Sequence, residues 1–329
     1  MKKNLYVVTC IFNPAGYKSR TKLYHKFAEY LKSINVVLIT IELQYGKIPF
    51  EATEPDNPNH IQLRTDSVMW HKEQLVNLAT QRLPMNWEYM AWIDADLLFL
   101  NDNWVHDTIR TLQFHPVVQM FGQAHDLSIT NEIIATHQGI GWAYVNDKVK
   151  TEDVYTKMYG TKGQHYGIPI EKFEKIPKTK VGFFHPGFAW AIRRDAYNNM
   201  GGLLDCPILG SADTHMAYSF IGCMESTLHE GYSEPYKDCL RAWQARADKY
   251  IRRNLGYVPG SVVHYWHGRK KDRGYTTRFN ILIDNQYNPH TDIEKDHQGL
   301  YRWTDRSLKL RQDVYKYFLS RNEDLTIDG

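Results

Sequence analysis

The stretch "YMAWIDADLLFL", residues 89–100, sets two aspartates, Asp94 and Asp96, inside an apolar run. A buried carboxylate with nothing to meet it is costly, so the pair must sit where a partner reaches it. Tyr89 to Ile93 are strand formers, and Leu97 to Leu100 resume the apolar run beyond the acids. A strand that ends at Asp94 delivers both carboxylates to its carboxyl edge, and their i, i+2 spacing aims them toward one shared cation. A strand-terminal turn with local hydrogen bonds reads the tripeptide as well; the apolar flanks and Trp92 favour a loop set within a cleft.

Working outward, "NLYVVTCIF" (4–12) reads as a buried strand stopped by "NPAGY", and Ser19 to Lys32 as a helix with Leu23, Phe27, Tyr30 and Leu31 at helical spacing. "INVVLITIEL" (34–43) is a second strand, which closes a βαβ unit. After the Pro-rich loop "EATEPDNPNH", a helix is expected from Thr65 to Leu83, with Thr65, Asp66 and Ser67 as cap candidates. "WEYMAWI" follows as a strand. The first half is therefore an α/β layer, and such open sheets bind ligands outside the carboxyl ends of their strands. Farther on, "HPVVQMFG" and "VGFFHPGFAWAIR" read as strands, Asp213–Cys223 and Pro235–Asn254 as helices, and the polar stretch 146–180 as a long excursion or lid.

At 329 residues the chain has ample length for a core, and its net charge of +3 calls for no polyanionic partner. Twenty-two Tyr and nine Trp suit stacking surfaces as well as core filling. Cys10, Cys206, Cys223 and Cys239 show neither zinc spacing nor a disulfide framework and are expected as reduced thiols. No apolar run reaches the length of a membrane span, and a cytoplasmic protein is expected, in the host cytoplasm if phage-encoded.

Paired carboxylates at a strand edge suit Mg2+ or Mn2+. "SVVHYWHGRKKDRGY" (261–275) offers a third ligand in His264 or His267, where an imidazole tilts the choice toward Mn2+, together with Arg and Lys for a diphosphate. A solvated basic loop is the plainer reading of those cations. Asp213, near a helix start, is either a helix cap or a general base.

Taken together, these segments resemble GT-A glycosyltransferases, enzymes of nucleotide sugars with a Rossmann-like, mostly parallel mixed sheet flanked by helices, here with C-terminal acceptor-side insertions. The resemblance spans roughly residues 3 to 300. "WHKEQLVNLATQRLPMNWEYMAWIDADLLF" resembles the Trp-x-Lys-Glu helix and Asp-x-Asp strand of family-2-like members. "HPGFAWAIRRDAYNNMGG" is similar to the strand before the acceptor loop, and "LLDCPILGSADTHM" to the segment that supplies the base of inverting members, with one acid where the pattern has two. "VVHYWHGRKK" is similar to a His/Lys stretch of glycogenin and bacterial lipooligosaccharide galactosyltransferases.

The resemblance implies transfer of a sugar from a nucleoside-diphosphate sugar, UDP-sugar favoured, to an acceptor hydroxyl with Mn2+ or Mg2+ as cofactor. It implies Asp94, Asp96 and His264 (or His267) for the metal, and Thr9, Phe12, Asn13, Arg64, Lys72, Asp94, Lys270 and Lys271 for the nucleotide and diphosphate. His185, Gly187 and Trp190 would border sugar and acceptor. Asp213 would be the base of an inverting reaction, or would orient the sugar in a retaining one. Residues 1–115 form the nucleotide-sugar half, 116–300 the acceptor half of the same domain, and 301–329 a helical extension.

Residues 237–278 carry eleven Lys/Arg against three Asp/Glu, a local +8 interleaved with Trp243, Tyr250 and Tyr257. Such a stretch fits an anionic acceptor surface or a solvated helix face. The acceptor is thus a saccharide or protein hydroxyl, or a hydroxymethylated pyrimidine of phage DNA. A nucleotidyltransferase and a non-catalytic sugar-binding protein are the rival readings; the first lacks a Gly-rich phosphate loop at "CIFNPAGYKSR".

Overall fold

The computed structural model describes residues 4–149, 184–275 and 277–325. Strand β4 (Tyr89–Ile93) is buried at all five positions, as a strand covered on both faces must be. Its neighbours in a seven-stranded sheet are β1 (Leu5–Phe12), parallel, and β9 (Ala189–Arg193), antiparallel. Beyond β1 lie β2 (Val37–Tyr45) and β3 (His60–Thr65), both parallel; beyond β9 lie β6 (Val117–Gln119) and β10 (Leu255–Tyr257). The result is the mostly parallel mixed sheet that the sequence led one to expect.

Alternation along the strands separates two cores. Val8, Phe12, Met90, Trp92, Trp190 and Ile192 face one side, and Leu5, Val7, Tyr89, Ala91, Ala189 and Ala191 the other. Helix α1 (Lys18–Ser33) lays Phe27 and Leu31 on the second core, and α2 (Lys72–Thr80) lays Leu75, Val76 and Ala79 on the first. The strand order runs from β1 outward to β3 and then returns to the far side of β1 with β4. That reversal opens a crevice at the carboxyl ends of β1 and β4.

A smaller sheet, β5 (Leu97–Phe99), β11 (Ser261–His264), β7 (Gln123–Leu127) and β8 (Ile133–Gln138), stands beside this crevice. Helices α3 (Trp104–Thr111), α4 (Ile140–Val145) and α5 (Arg194–Met200) complete the layers. Helix α6 (Ala212–Phe220) packs on α7 (Glu234–Tyr250), whose start is fixed by the Ser233 hydroxyl accepting from the Tyr236 amide and by Pro235 in the first turn. Short helix α8 (Asn280–Asp284), the ribbon β12 (Ile293–Lys295) and β13 (Tyr301–Trp303), and α9 (Leu308–Leu319) follow.

Three expectations are corrected. The helix over Thr65–Leu83 begins only at Lys72, because Thr65 belongs to β3 and the Trp70 amide is held by the Ile208 carbonyl. Residues 301–329 are not wholly a helical extension, since they open with a strand. The "HPVVQMFG" strand is three residues long, and the chain then enters the second sheet. The expected lid at 146–180 lies outside the described residues from 150 onward. Among the described residues, no disulfide joins any of the four cysteines, and no helix is long and apolar enough to cross a membrane.

Trp92 and Trp190 are register partners on β4 and β9 and stack at 6.2 Å between centroids, 11° from parallel. Trp190→Ala is expected to lower unfolding free energy by about 3–5 kcal/mol, read by urea denaturation; a loss below about 1 kcal/mol, within the range of ordinary surface changes, would show that the pair does not anchor the sheet.

Candidate active site

The chain leaves β4 at Ile93, so the period-two rule of strands no longer governs Asp94 and Asp96, and the two carboxylates part. The Asp94 amide is held by the Phe188 carbonyl at 2.9 Å, and its carboxylate forms an ion pair with Lys72. Asp96 takes different partners. Strands β5 and β11 pair antiparallel with Leu97 opposite His264, and the Tyr265 amide donates to the Asp96 carbonyl at 2.9 Å, which sets Asp96 beside the end of β11.

There Asp96 Oδ2 lies 3.0 Å from His267 Nε2 and 3.6 Å from His264 Nε2, and the two imidazole nitrogens are 3.1 Å apart. These three residues form a group that could hold a metal ion; Asp94 stands outside it. Gly268 makes the bend after His267 possible: its φ is +88°, and a Cβ there would lie 2.7 Å from the Asn322 carbonyl oxygen.

The group fits a divalent cation on a direct observation. Asp96 Oδ1 is buried and has no hydrogen-bond partner among the described residues, an arrangement that proteins rarely leave unexplained. Two imidazoles and a carboxylate suit Mn2+ and also Fe2+. Lys270, Lys271 and Arg273 on the same cleft favour a metal that shares its other positions with phosphate oxygens.

Each imidazole has a carboxylate behind it. His264 Nδ1 meets Asp126 Oδ1 at 2.9 Å, which turns Nε2 toward Asp96, and His267 Nδ1 lies 3.7 Å from Glu323 Oε2. Such partners fix the ring and its tautomer. Burial raises the Asp96 carboxyl, but His264 and His267 more than offset that and hold it well below the carboxylate range. Burial lowers His264, yet Asp96 and Asp126 raise it to about 9. A metal ligand must give up that proton. Asp126 also contacts His137 and Lys270, at 2.5 Å each, and is held far below its usual value against the effect of burial.

Across the cleft, Asp213 lies in the first turn of α6, where its Oδ1 accepts from the Thr214 amide at 2.8 Å. Its Oδ2 approaches Gly187 so closely that a Cβ there would be 2.7 Å away, so position 187 has no room for a side chain. The next residue, Phe188, has φ +78°, strained for a side chain of that size, and stacks on His185 at 3.7 Å. Between Asp213 and Asp94 sit Lys72 and Glu73. Burial pushes the Glu73 carboxyl up to about 8, and Trp70 Nε1 donates to it at 3.0 Å. The cleft encloses about 390 Å³.

Phe12, Lys72, Asp94, Asp96, His185, Asp213, His264, His267, Lys270 and Lys271 all line this cleft. Of the other five residues expected there, Gly187 lies against Asp213 Oδ2 between the lining residues Pro186 and Phe188, and four are engaged elsewhere. The Thr9 hydroxyl is buried on the Ile93 carbonyl, Asn13 clamps the Tyr17 backbone, Arg64 binds the carbonyls of Gly46 and Ile48, and Trp190 is stacked in the core. The basic stretch 237–278 divides. Lys237 and Arg241, on α7, pair with Glu234, Asp238 and, from the preceding turn, Glu225, whereas Lys270, Lys271, Arg273 and Arg278 face the cleft. Arg20, Glu73, Asp126, Arg321 and Glu323 were not foreseen, and Arg278 only as part of the basic stretch 237–278; of the five, Glu73 alone had a signal, in Trp-x-Lys-Glu.

No known protein family matches the chain, and no curated protein does. Among solved structures it is similar to the catalytic domain of Drosophila β1,4-galactosyltransferase 7 with xylobiose, at 13% identity and TM-score 0.31, over 69% of this chain and 63% of that one. It is similar to a variant of the same enzyme with manganese, UDP-Gal and xylobiose, at 12% and 0.39, over 94% and 98%. It is also similar to glucosyl-3-phosphoglycerate synthase of Mycobacterium tuberculosis with Mn2+, UDP and phosphoglyceric acid, at 11% and 0.36, over 87% and 76%. At such values the chemistry of this chain has to come from its own residues.

Asp96→Asn is expected to abolish Mn2+ binding, and Asp126→Asn, which leaves the three candidate ligands in place, to weaken it about 10–100-fold. Isothermal titration with Mn2+ on variants whose circular dichroism is unchanged reads both. Wild-type affinity in Asp96→Asn would remove the triad as the metal site.

Proposed function

We propose that the chain is a metal-dependent glycosyltransferase that moves a sugar from a nucleoside-diphosphate sugar, UDP-sugars first, to an acceptor hydroxyl with inversion. The observation that supports this best is the group Asp96, His264 and His267, with its orphaned carboxylate oxygen, at the carboxyl edge of the sheet beside Lys270 and Lys271. Asp213 lines the same cleft from another element, so one side is built for a leaving diphosphate and the other for a proton.

Asp96, His264 and His267 would hold Mn2+ or Mg2+. When bound, the cation stabilises the charge that gathers on the departing diphosphate. Lys270 and Lys271 add positive charge that counts for more as the diphosphate leaves than before it does. Burial and the neighbouring Asp96 raise the Asp94 carboxyl above its usual value while Lys72 opposes them, and in its ion pair with Lys72 Asp94 would accept a hydroxyl hydrogen bond from the donor. Asp213, with Oδ1 tied to the Thr214 amide, keeps Oδ2 toward the cleft wall at Gly187 and takes the proton of the acceptor hydroxyl.

Calorimetric titration with UDP and other nucleotides, with and without Mn2+, and a screen of nucleotide sugars for metal-dependent hydrolysis test the reading. Absence of metal-dependent nucleotide binding would sink it and leave a sugar-binding protein, while pyrophosphate release from a nucleoside triphosphate would mark a nucleotidyltransferase. Asp213→Asn is expected to keep UDP affinity and to cut turnover about 10²–10⁴-fold. Product of retained anomeric configuration by NMR would instead assign Asp213 to orienting the sugar.

A further inference from the structure

Four consecutive residues, His185 to Phe188, join the two walls of the cleft. Gly187 lies against Asp213 Oδ2, and the Phe188 carbonyl accepts from the Asp94 amide at 2.9 Å. The Phe188 ring meets two imidazoles: that of His185 at 3.7 Å and 12° between planes, and that of the candidate ligand His264 at 4.6 Å and 31°. Among the described residues Phe188 is the one aromatic side chain carried on a backbone of positive φ; the other non-glycine cases are polar. The Ala189 amide donates to the Gly187 carbonyl at 3.2 Å across it, so with φ +78° the chain makes a γ-turn of the rare, strained hand.

Strain of this kind persists only where the surroundings fix it, and each of the four carbonyls is bonded. The Ile140 amide and Gln119 Nε2 donate to His185 at 3.2 and 2.8 Å, Trp190 Nε1 to Pro186 at 2.9 Å, and Gln119 Nε2 also to Gly187 at 3.3 Å. Glycine at 188 would make the same turn without strain but would put no ring there. The ring also fills core beside Phe121, at 6.0 Å; a smaller or unstrained residue could share that task with its neighbours. What only a ring supplies is a flat face against His264. The Asp126 hydrogen bond to Nδ1 holds one atom of that imidazole in its plane and resists tilting of the plane weakly, whereas an aromatic face resists it directly.

We propose that Phe188 is a positioning residue of the candidate metal site: its strained turn is retained because it sets an aromatic face against His264 and so holds Nε2 toward Asp96 and His267. The same turn carries Gly187 to Asp213, so one piece of backbone spaces the metal side of the cleft from the base side. The proposal rests on Asp96, His264 and His267 as metal ligands, and not on sugar transfer.

Three measurements on the full chain separate the strain from the ring. In urea denaturation Phe188→Gly is expected to be more stable than Phe188→Ala, the reverse of the usual order, because glycine alone takes this φ without strain. In calorimetric titration with Mn2+, Phe188→Gly, Phe188→Ala and Phe188→Leu are each expected to bind about 3–10-fold more weakly than wild type, the worth of one stacked aromatic pair, while Phe188→Tyr, which keeps the ring, stays near wild type. In the metal-free protein the His264 ring protons are expected upfield by NMR and move downfield in Phe188→Leu. Wild-type Mn2+ affinity in Phe188→Leu, affinities that follow stability instead of the presence of a ring, or His264 protons indifferent to Phe188→Leu would reduce Phe188 to core filling and overturn the proposal. Phe188-dependent Mn2+ binding in a protein that ignores UDP would uphold it and remove the transferase reading. Mn2+-dependent UDP binding with Mn2+ affinity indifferent to Phe188 would remove the proposal alone.

Discussion

Carboxylates withdrawn from water govern this molecule. Glu323 and Asp126 are almost wholly buried, and each survives as an anion only because cations close on it. A buried ion pair adds little net stability, but removing one partner leaves a charge that nothing solvates. The elements that bring those cations and the hydrogen-bonding His137 are therefore held in one arrangement: β11 with His264, β8 with His137, the loop with Lys270, and α1 with Arg20. The candidate metal ligands sit between these two anions and inherit their placement.

The cleft separates two kinds of electrostatic work. Around Lys72, three acids, Glu73, Asp94 and Asp213, face one cation. Around Tyr275 stand the guanidiniums of Arg273, Arg278 and Arg321. A ligand with hydroxyls at one place and charge at another would lie across both, oriented by sign before any close contact is made.

Much of this was legible in the chain, and the reasons for the rest are physical. Strands β1, β4 and β11 announce themselves because strands buried on both faces read as unbroken apolar runs. Strand β3, "HIQLRT", is half-buried along nearly its whole length at the sheet's edge and gives no such signal. Asp96 and His264 could be paired by reasoning from strand ends. The i, i+2 argument for Asp94 supposed strand geometry through Asp96, whereas the strand stops at Ile93. Glu323 with Arg20 had no signal at all, since no local period links residues some three hundred positions apart. The cations of α7 looked like an open basic surface because two of their acidic partners, Glu225 and Glu234, precede the basic stretch that begins at Lys237.

The backbone amides of Lys18 and Ser19, which begin α1, are bonded not by a neighbouring side chain but by the carboxylate of Asp324, at 2.8 Å each. Helix α1 thus receives its cap, and His267 its backing carboxylate, from one short segment at the other end of the described chain. All the strands of the two larger sheets precede that segment in the chain, so during synthesis they emerge before the residues that back His267. A chain in which this segment failed to dock would have its sheet but not its site.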